Sequence, residues 1–183
     1  MRRQSYRGRP PVTVDTGSSL LILLAGLLLG VISKWADLHL PALAELTSQI
    51  ALWVLLASAV ALGSRSPLRG ALHTLLLLGG MLAAYYTAAH FMGGVWSKSY
   101  LIGWGAAVLL SPLAGWLVWH ARGEDRWAWL ASAGVLAAQI GGTLLLFRKL
   151  RVTDLVVIAL TAVMLFAGKI KNLPRTRRRR RRK

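Results

Sequence analysis

The chain has 183 residues, 55% of them hydrophobic, yet it carries 23 lysines and arginines against 6 acidic residues, for a net charge of +17. A soluble domain of ordinary composition does not combine such apolarity with such charge, so the two must be segregated along the chain. The absence of cysteine excludes disulfides, thiol catalysis, iron–sulfur clusters and cysteine-ligated zinc.

Residues 1–15 hold Arg2, Arg3, Arg7, Arg9 and the Pro10-Pro11 pair, and read as a basic, irregular cytoplasmic tail. The apolar run at 16–35 follows. A basic start before an apolar run is also the pattern of a secretory signal, but no A-x-A cleavage site follows, and Val31-Ile32-Ser33 imitates one poorly. The run therefore reads as a first membrane span. Gly26 and Gly30 within it form a small-xxx-small pair, which lets a second helix backbone approach closely. Lys34, Trp35, Asp37, His39 and Pro41 make a polar connection that ends at Glu45. A second span is expected at 46–63, followed by a gap with Arg65 and Arg69.

The third span, 68–92, carries no formal charge between Arg69 and Lys98. A hydrocarbon core about 30 Å thick needs about 20 helical residues, and this run exceeds that. Its exit, GGVWSKSY, is glycine-rich. The fourth span, 99–121, contains Pro112, which predicts a kink and a carbonyl freed for a neighbouring donor. Gly103, Ala107, Ser111 and Gly115 recur every four residues along it, as do Gly134, Ala138 and Gly142 along the fifth span, 127–147. Both series predict close-packing faces. Gln139 is the one amide of the fifth span. The sixth, 152–168, is short: only Leu155 to Gly168 is uncharged, roughly 21 Å of helix, with Arg151 and Lys169 placed to snorkel at its ends. Residues 169–183 form a polybasic cytoplasmic tail.

The predicted fold class is all-α: a polytopic membrane protein in which residues 16–168 form a compact bundle of six transmembrane helices with both termini cytoplasmic. In that arrangement eighteen basic residues lie on the inner side and five on the outer side, as the positive-inside rule requires. Six spans are preferred over five, which would leave the arginine tail outside.

No H-E-x-x-H, G-x-S-x-G, G-x-x-x-x-G-K or paired intramembrane carboxylate is present, so the sequence names no catalytic residue, metal or cofactor. His73 and His90 lie seventeen residues apart on one helix, about 25 Å, and cannot share an ion. His73 and His120 fall near the inner surface, as do Glu124 and Asp125. The outer half offers more, because Tyr86 and His90 are four apart on one helix face and Lys98 and Gln139 fall on the same side. These four are the ligand-binding candidates, with Lys34, Asp37 and Tyr100 nearby, for a small polar or anionic ligand. The alternative is that Tyr85, Tyr86, Trp96 and Tyr100 form an ordinary interfacial belt. Arg175–Lys183 suits anionic lipid head groups; without interleaved aromatics it does not suit specific nucleic-acid recognition.

GLLLGVISKWAD at 26–37, SPLRGAL at 66–72, GMLAAYY at 80–86, Ser99-Tyr100 and SPLAGWLVWHARG at 111–123 resemble an uncharacterised family of small bacterial integral membrane proteins, over roughly residues 20–125. That resemblance implies the bacterial cytoplasmic membrane and brings no assigned activity or functional residue. In architecture alone the chain is also similar to the substrate-capturing component of energy-coupling-factor transporters. There, Gly26 and Gly30 would match the face that meets a partner membrane subunit, and the ligand would sit in an outward-facing cavity. The functional expectation is a small-molecule binding or transport component, with a non-catalytic membrane scaffold or assembly protein as the alternative.

Overall fold

The computed structural model describes residues 16–92 and 97–180, with side-chain detail for all of these except 146, 168 and 170–180. The N-terminal tail, Trp96 and the side chains of the arginine tail lie outside the described set. Seven helices follow in order: α1 (Thr16–His39), α2 (Pro41–Thr47), α3 (Ile50–Gly63), α4 (Pro67–Met92), α5 (Lys98–His120), α6 (Arg126–Phe147) and α7 (Val152–Arg180). No strand occurs among the described residues. Four helices, α1, α4, α5 and α6, are long and apolar enough to cross a membrane, and α2 with α3 makes a fifth if the bent pair is counted as one span. The apolar part of α7, Val152–Ala167, is shorter, and the helix continues past it to Arg180.

Polarity is arranged for lipid. Leu20, Leu24 and Leu28 on α1 and Leu109, Leu110 and Leu113 on α5 face outward, while Ser33, Thr74, Ser111, Ser132, Gln139, Thr143 and Thr161 are buried. In a hydrocarbon solvent an outward leucine costs nothing, whereas each polar group must find its partner inside the protein.

The second span expected at 46–63 is instead broken, with α2 and α3 meeting at 59°. The Thr47 hydroxyl donates to the Leu43 carbonyl at 3.0 Å, and the Ser48 hydroxyl donates to Glu45 at 2.8 Å. The Trp53 indole donates to the Thr47 carbonyl at 2.7 Å. These bonds satisfy carbonyls that a continuous helix would have used, so the break is internally paired.

Helices α1 and α4 form the closest seam. A Cβ at Gly26 would overlap the Leu77 carbonyl, and one at Gly30 would overlap the Met81 carbonyl and stand 2.9 Å from the Tyr85 nitrogen. Gly80 reciprocates from α4, where a Cβ would come within 3.2 Å of the Leu23 carbonyl. The Gly26/Gly30 face, expected to receive a partner subunit, is therefore filled by α4 of the same chain.

Helices α4 and α5 form a wedge. They meet backbone to backbone at one end, where a Cβ at Gly115 would lie 2.6 Å from the Gly70 carbonyl and overlap the Thr74 hydroxyl. Farther along, a Cβ at Gly79 would touch only the Val108 side chain, at 3.6 Å. Beyond that Gly103 meets nothing within 4 Å, so only the Ser111/Gly115 half of the predicted four-residue series packs. Helix α5 runs through Pro112, whose missing N–H leaves the Val108 carbonyl available. The Ser111 hydroxyl fills that vacancy by donating at 2.8 Å, and Thr74 donates to the Ser111 carbonyl at 3.0 Å.

The packing face of α6 corrects the sequence expectation. A Cβ at Gly134 would meet no described atom of another element within 4 Å and Ala138 is exposed, while Ala128, Ser132, Gln139 and Thr143 are buried. They face Asp154, Val157, Thr161, Leu165 and Lys169, the buried stripe of α7. Hydrogen-bonding capacity, rather than small size, selects the inward face here. Lys169 does not snorkel outward: it donates to the Ala128 carbonyl at 2.7 Å and to Ser132, and it lies 5.1 Å from the Phe166 ring. At the other end of α7 Arg151 pairs with Glu45 at 3.0 Å, and Asp154 accepts from the Arg151 backbone at 2.9 Å.

His73 closes the end of the bundle nearest the N-terminus of α1. Because Ser64 donates to Val60 at 2.8 Å, its oxygen accepts from His73 Nδ1, also at 2.8 Å, which leaves Nε2 to accept from Ser19. The Ser64 carbonyl in turn accepts from the Trp119 indole at 2.9 Å and from Arg122 at 2.7 Å. Among the described residues, His120 bonds within its own helix, to the Trp116 carbonyl at 2.9 Å.

These seams make a direct prediction. Gly26→Ala lowers stability by about 1–3 kcal/mol through overpacking against a backbone that cannot yield. Gly134→Ala, on the open face of α6, leaves stability unchanged or slightly higher; thermal unfolding in detergent compares the two.

Candidate functional site

Where the α4/α5 wedge opens, at the end opposite His73, the helices enclose a cavity of about 320 Å³. Asp37 of α1, Trp53 of α3, Tyr85 and Tyr86 of α4, and Tyr100 and Trp104 of α5 supply its walls, with Thr47 and Ser48 at the α2/α3 break. The break thus brings Thr47 and Ser48 to the cavity, the setting in which unwound chain is tolerated within a membrane bundle. The volume sits at the lower end of the about 300–1,000 Å³ typical of small-molecule sites.

One polar cluster is built into the wall. The Tyr85 hydroxyl donates to Asp37 Oδ2. Lys34, one turn earlier on α1, stands 3.9 Å from the same oxygen and 5.2 Å from the centre of the Tyr85 ring. Lys34 is 4% exposed and does not line the cavity, whereas Asp37 does. Both contacts engage Oδ2, leaving Oδ1 of Asp37 as the acceptor for anything that enters.

Of the four residues expected to bind ligand, the fold brings Tyr86 and His90 together. Tyr86 lines the main cavity and also an adjoining depression that it shares with Thr87, His90, Phe91 and Leu101. The His90 ring packs edge-on against Phe91 at 5.4 Å. Lys98 is exposed at the first turn of α5, outside both linings. Gln139 is fully buried away from them: its amide donates to the Ala51 carbonyl of α3 at 2.9 Å and to the Thr161 hydroxyl of α7 at 3.2 Å. Its present contacts join three helices.

Sequence reasoning noted Asp37 but passed over Tyr85, Trp53 and Trp104 as site residues. A signal was available, because Gly26, Gly30, Ser33 and Asp37 share one face of α1 at spacings of four, three and four. The face that packs α4 at the glycines must carry Asp37 to the next turn of α4, where Tyr85 lies.

An all-helical chain with several membrane-length apolar helices, lipid-facing leucines and an inward polar seam defines a multi-pass membrane protein. It belongs to a family of unknown function, DUF6518, whose profile matches residues 9–182. No curated protein and no solved structure matches the chain.

The Tyr85–Asp37 contact should be worth about 0.6–1.7 kcal/mol, the range of interhelical hydrogen bonds in membrane proteins. A double-mutant cycle of Tyr85→Phe and Asp37→Asn, followed by thermal unfolding, measures it; additive losses would mean the contact does not couple α1 to α4.

Proposed function

We propose that this chain is a six-span protein of the bacterial cytoplasmic membrane, with both ends cytoplasmic, that binds a small molecule at the outer end of its bundle as a binding or transport component. The observation that carries the reading is the cavity at the open end of the α4/α5 wedge, where a carboxylate and several aromatic side chains converge. Structural packing alone does not require a void there, since a filled core excludes volumes of this size. The sixth crossing is α7, with Arg151 and Lys169 at either end of its apolar stretch. The excess of basic residues at the opposite end supports a cytoplasmic placement of the termini.

Because the chain has no cysteine, single-cysteine variants report sidedness cleanly. Lys98→Cys is expected to react with a membrane-impermeant maleimide in intact cells, and Glu124→Cys only after permeabilisation; the reverse pattern refutes the orientation. For the function, native mass spectrometry of the detergent-purified protein is expected to show a retained small molecule, lost in Tyr86→Ala and kept in Gln139→Leu. A stoichiometric partner protein with no small molecule in any preparation would instead favour the scaffold reading.

A further inference from the structure

We infer that the cavity selects a small organic cation, an ammonium group carried on an apolar body, with Asp37 as its counter-ion. This rests on the cavity being a ligand site, as proposed above, and adds the chemical class.

The donors and acceptors of the wall carry the inference. Four of its donors are already engaged inside the protein: the Trp53 indole with the Thr47 carbonyl, the Tyr85 hydroxyl with Asp37, the Thr47 hydroxyl with Leu43 and the Ser48 hydroxyl with Glu45. With their hydrogens turned inward, Thr47 and Ser48 offer lone pairs to the cavity, and Asp37 offers Oδ1. The wall also carries the rings of Trp53, Tyr85, Tyr86, Tyr100 and Trp104, with the hydroxyls of Ser33 and Ser97. Ring faces carry negative electrostatic potential and attract cations. Asp37 is the one charged side chain among the described lining residues, and Lys34, which is buried, does not line the space. An anionic ligand, the class first suggested by the lysines, would meet a carboxylate and no lysine there. A cation meets that carboxylate and the rings favourably, and an ammonium within about 6 Å of several ring centres gains from each.

The source of the ammonium is either a free amine or the head group of a lipid at this level of the bilayer, and both satisfy the same chemistry. The test uses three probes of nearly one shape: choline, its uncharged isostere 3,3-dimethylbutan-1-ol, and the anion 3,3-dimethylbutanoate. Protein in phosphatidylglycerol nanodiscs, which contain no ammonium head group, is titrated with each while tryptophan fluorescence is followed and calorimetry confirms binding.

Choline is expected to bind at least tenfold more tightly than the other two. Asp37→Asn, which keeps an acceptor for Tyr85, should erase that preference, while Lys34→Gln should retain or strengthen choline binding by removing a competitor for the carboxylate. Trp104→Leu provides a second variant on the opposite wall, expected to weaken choline at least fivefold even if Asp37→Asn fails to fold. Tighter binding of the neutral probe or the anion, or loss of choline binding in Lys34→Gln with its survival in Asp37→Asn, overturns the cation assignment and leaves the cavity as a ligand site. Failure of all three probes to bind overturns the cation assignment as well; it extends to the cavity reading if no small molecule is retained on purification. Repeating the titration in phosphatidylethanolamine nanodiscs separates the sources: undiminished affinity assigns a soluble amine, and competition by the lipid assigns its head group.

Discussion

The approach of α1 to α4 sets the register of everything at the open end. Glycine at 26 and 30 lets the α1 backbone rest on the carbonyls of Leu77 and Met81, and the two helices then continue together toward the cavity. Seven residues beyond Gly30, Asp37 arrives opposite Tyr85, where the hydroxyl and carboxylate meet. A side chain at either glycine would push α1 outward along its whole length, and Lys34, Asp37 and Tyr85 would no longer share one small volume. The seam is therefore both a packing device and the ruler that places the charged wall.

A second constraint governs α6 and α7, which lack such a glycine seam. Their contact is held by hydrogen bonds from Gln139 to Thr161 and from Lys169 to Ala128 and Ser132, beside the packed rings of Trp129 and Phe166. Neither helix gains from hiding leucine in a lipid solvent, so association relies on close contacts and on hydrogen bonds that have no water to replace them. Gln139 serves three helices at once, which explains an amide in the middle of an apolar run without reference to a ligand. Lys169 serves the same end: its ammonium reaches a carbonyl and a hydroxyl of α6 and lies over the rings of Trp129 and Phe166.

Much of this architecture was legible in the sequence, because uncharged runs, charged gaps and arginine placement are local properties of the chain. The Gly26/Gly30 pair was legible as a close-packing face, but its occupant was not, since spacing states what can approach and not which helix does. The break at 47–49 escaped notice for a different reason. Thr47, Ser48 and Gln49 are compatible with a helix, and the interruption is paired by the return bonds of the Thr47 and Ser48 hydroxyls and of the Trp53 indole, which the sequence does not announce. The inward face of α6 was misread because glycine and alanine spacing looks the same whether it meets another helix or lipid. Tyr86 and His90 were placed together by helical geometry alone, whereas Lys98 and Gln139 depended on how separate helices rotate about their axes, which charge counts do not fix.

The wedge between α4 and α5 makes α5 a lever. It is pinned where Gly115 rests on Gly70 and where Thr74 holds the Ser111 carbonyl, and Pro112 removes a backbone tie beside that pin. Seven residues separate Ser111, the nearer edge of the pin, from Trp104, so the free arm is about 10 Å long and a tilt of about 5° carries Trp104 through about 0.9 Å. The mouth of the cavity can thus change width while the opposite end of the bundle keeps its bonds.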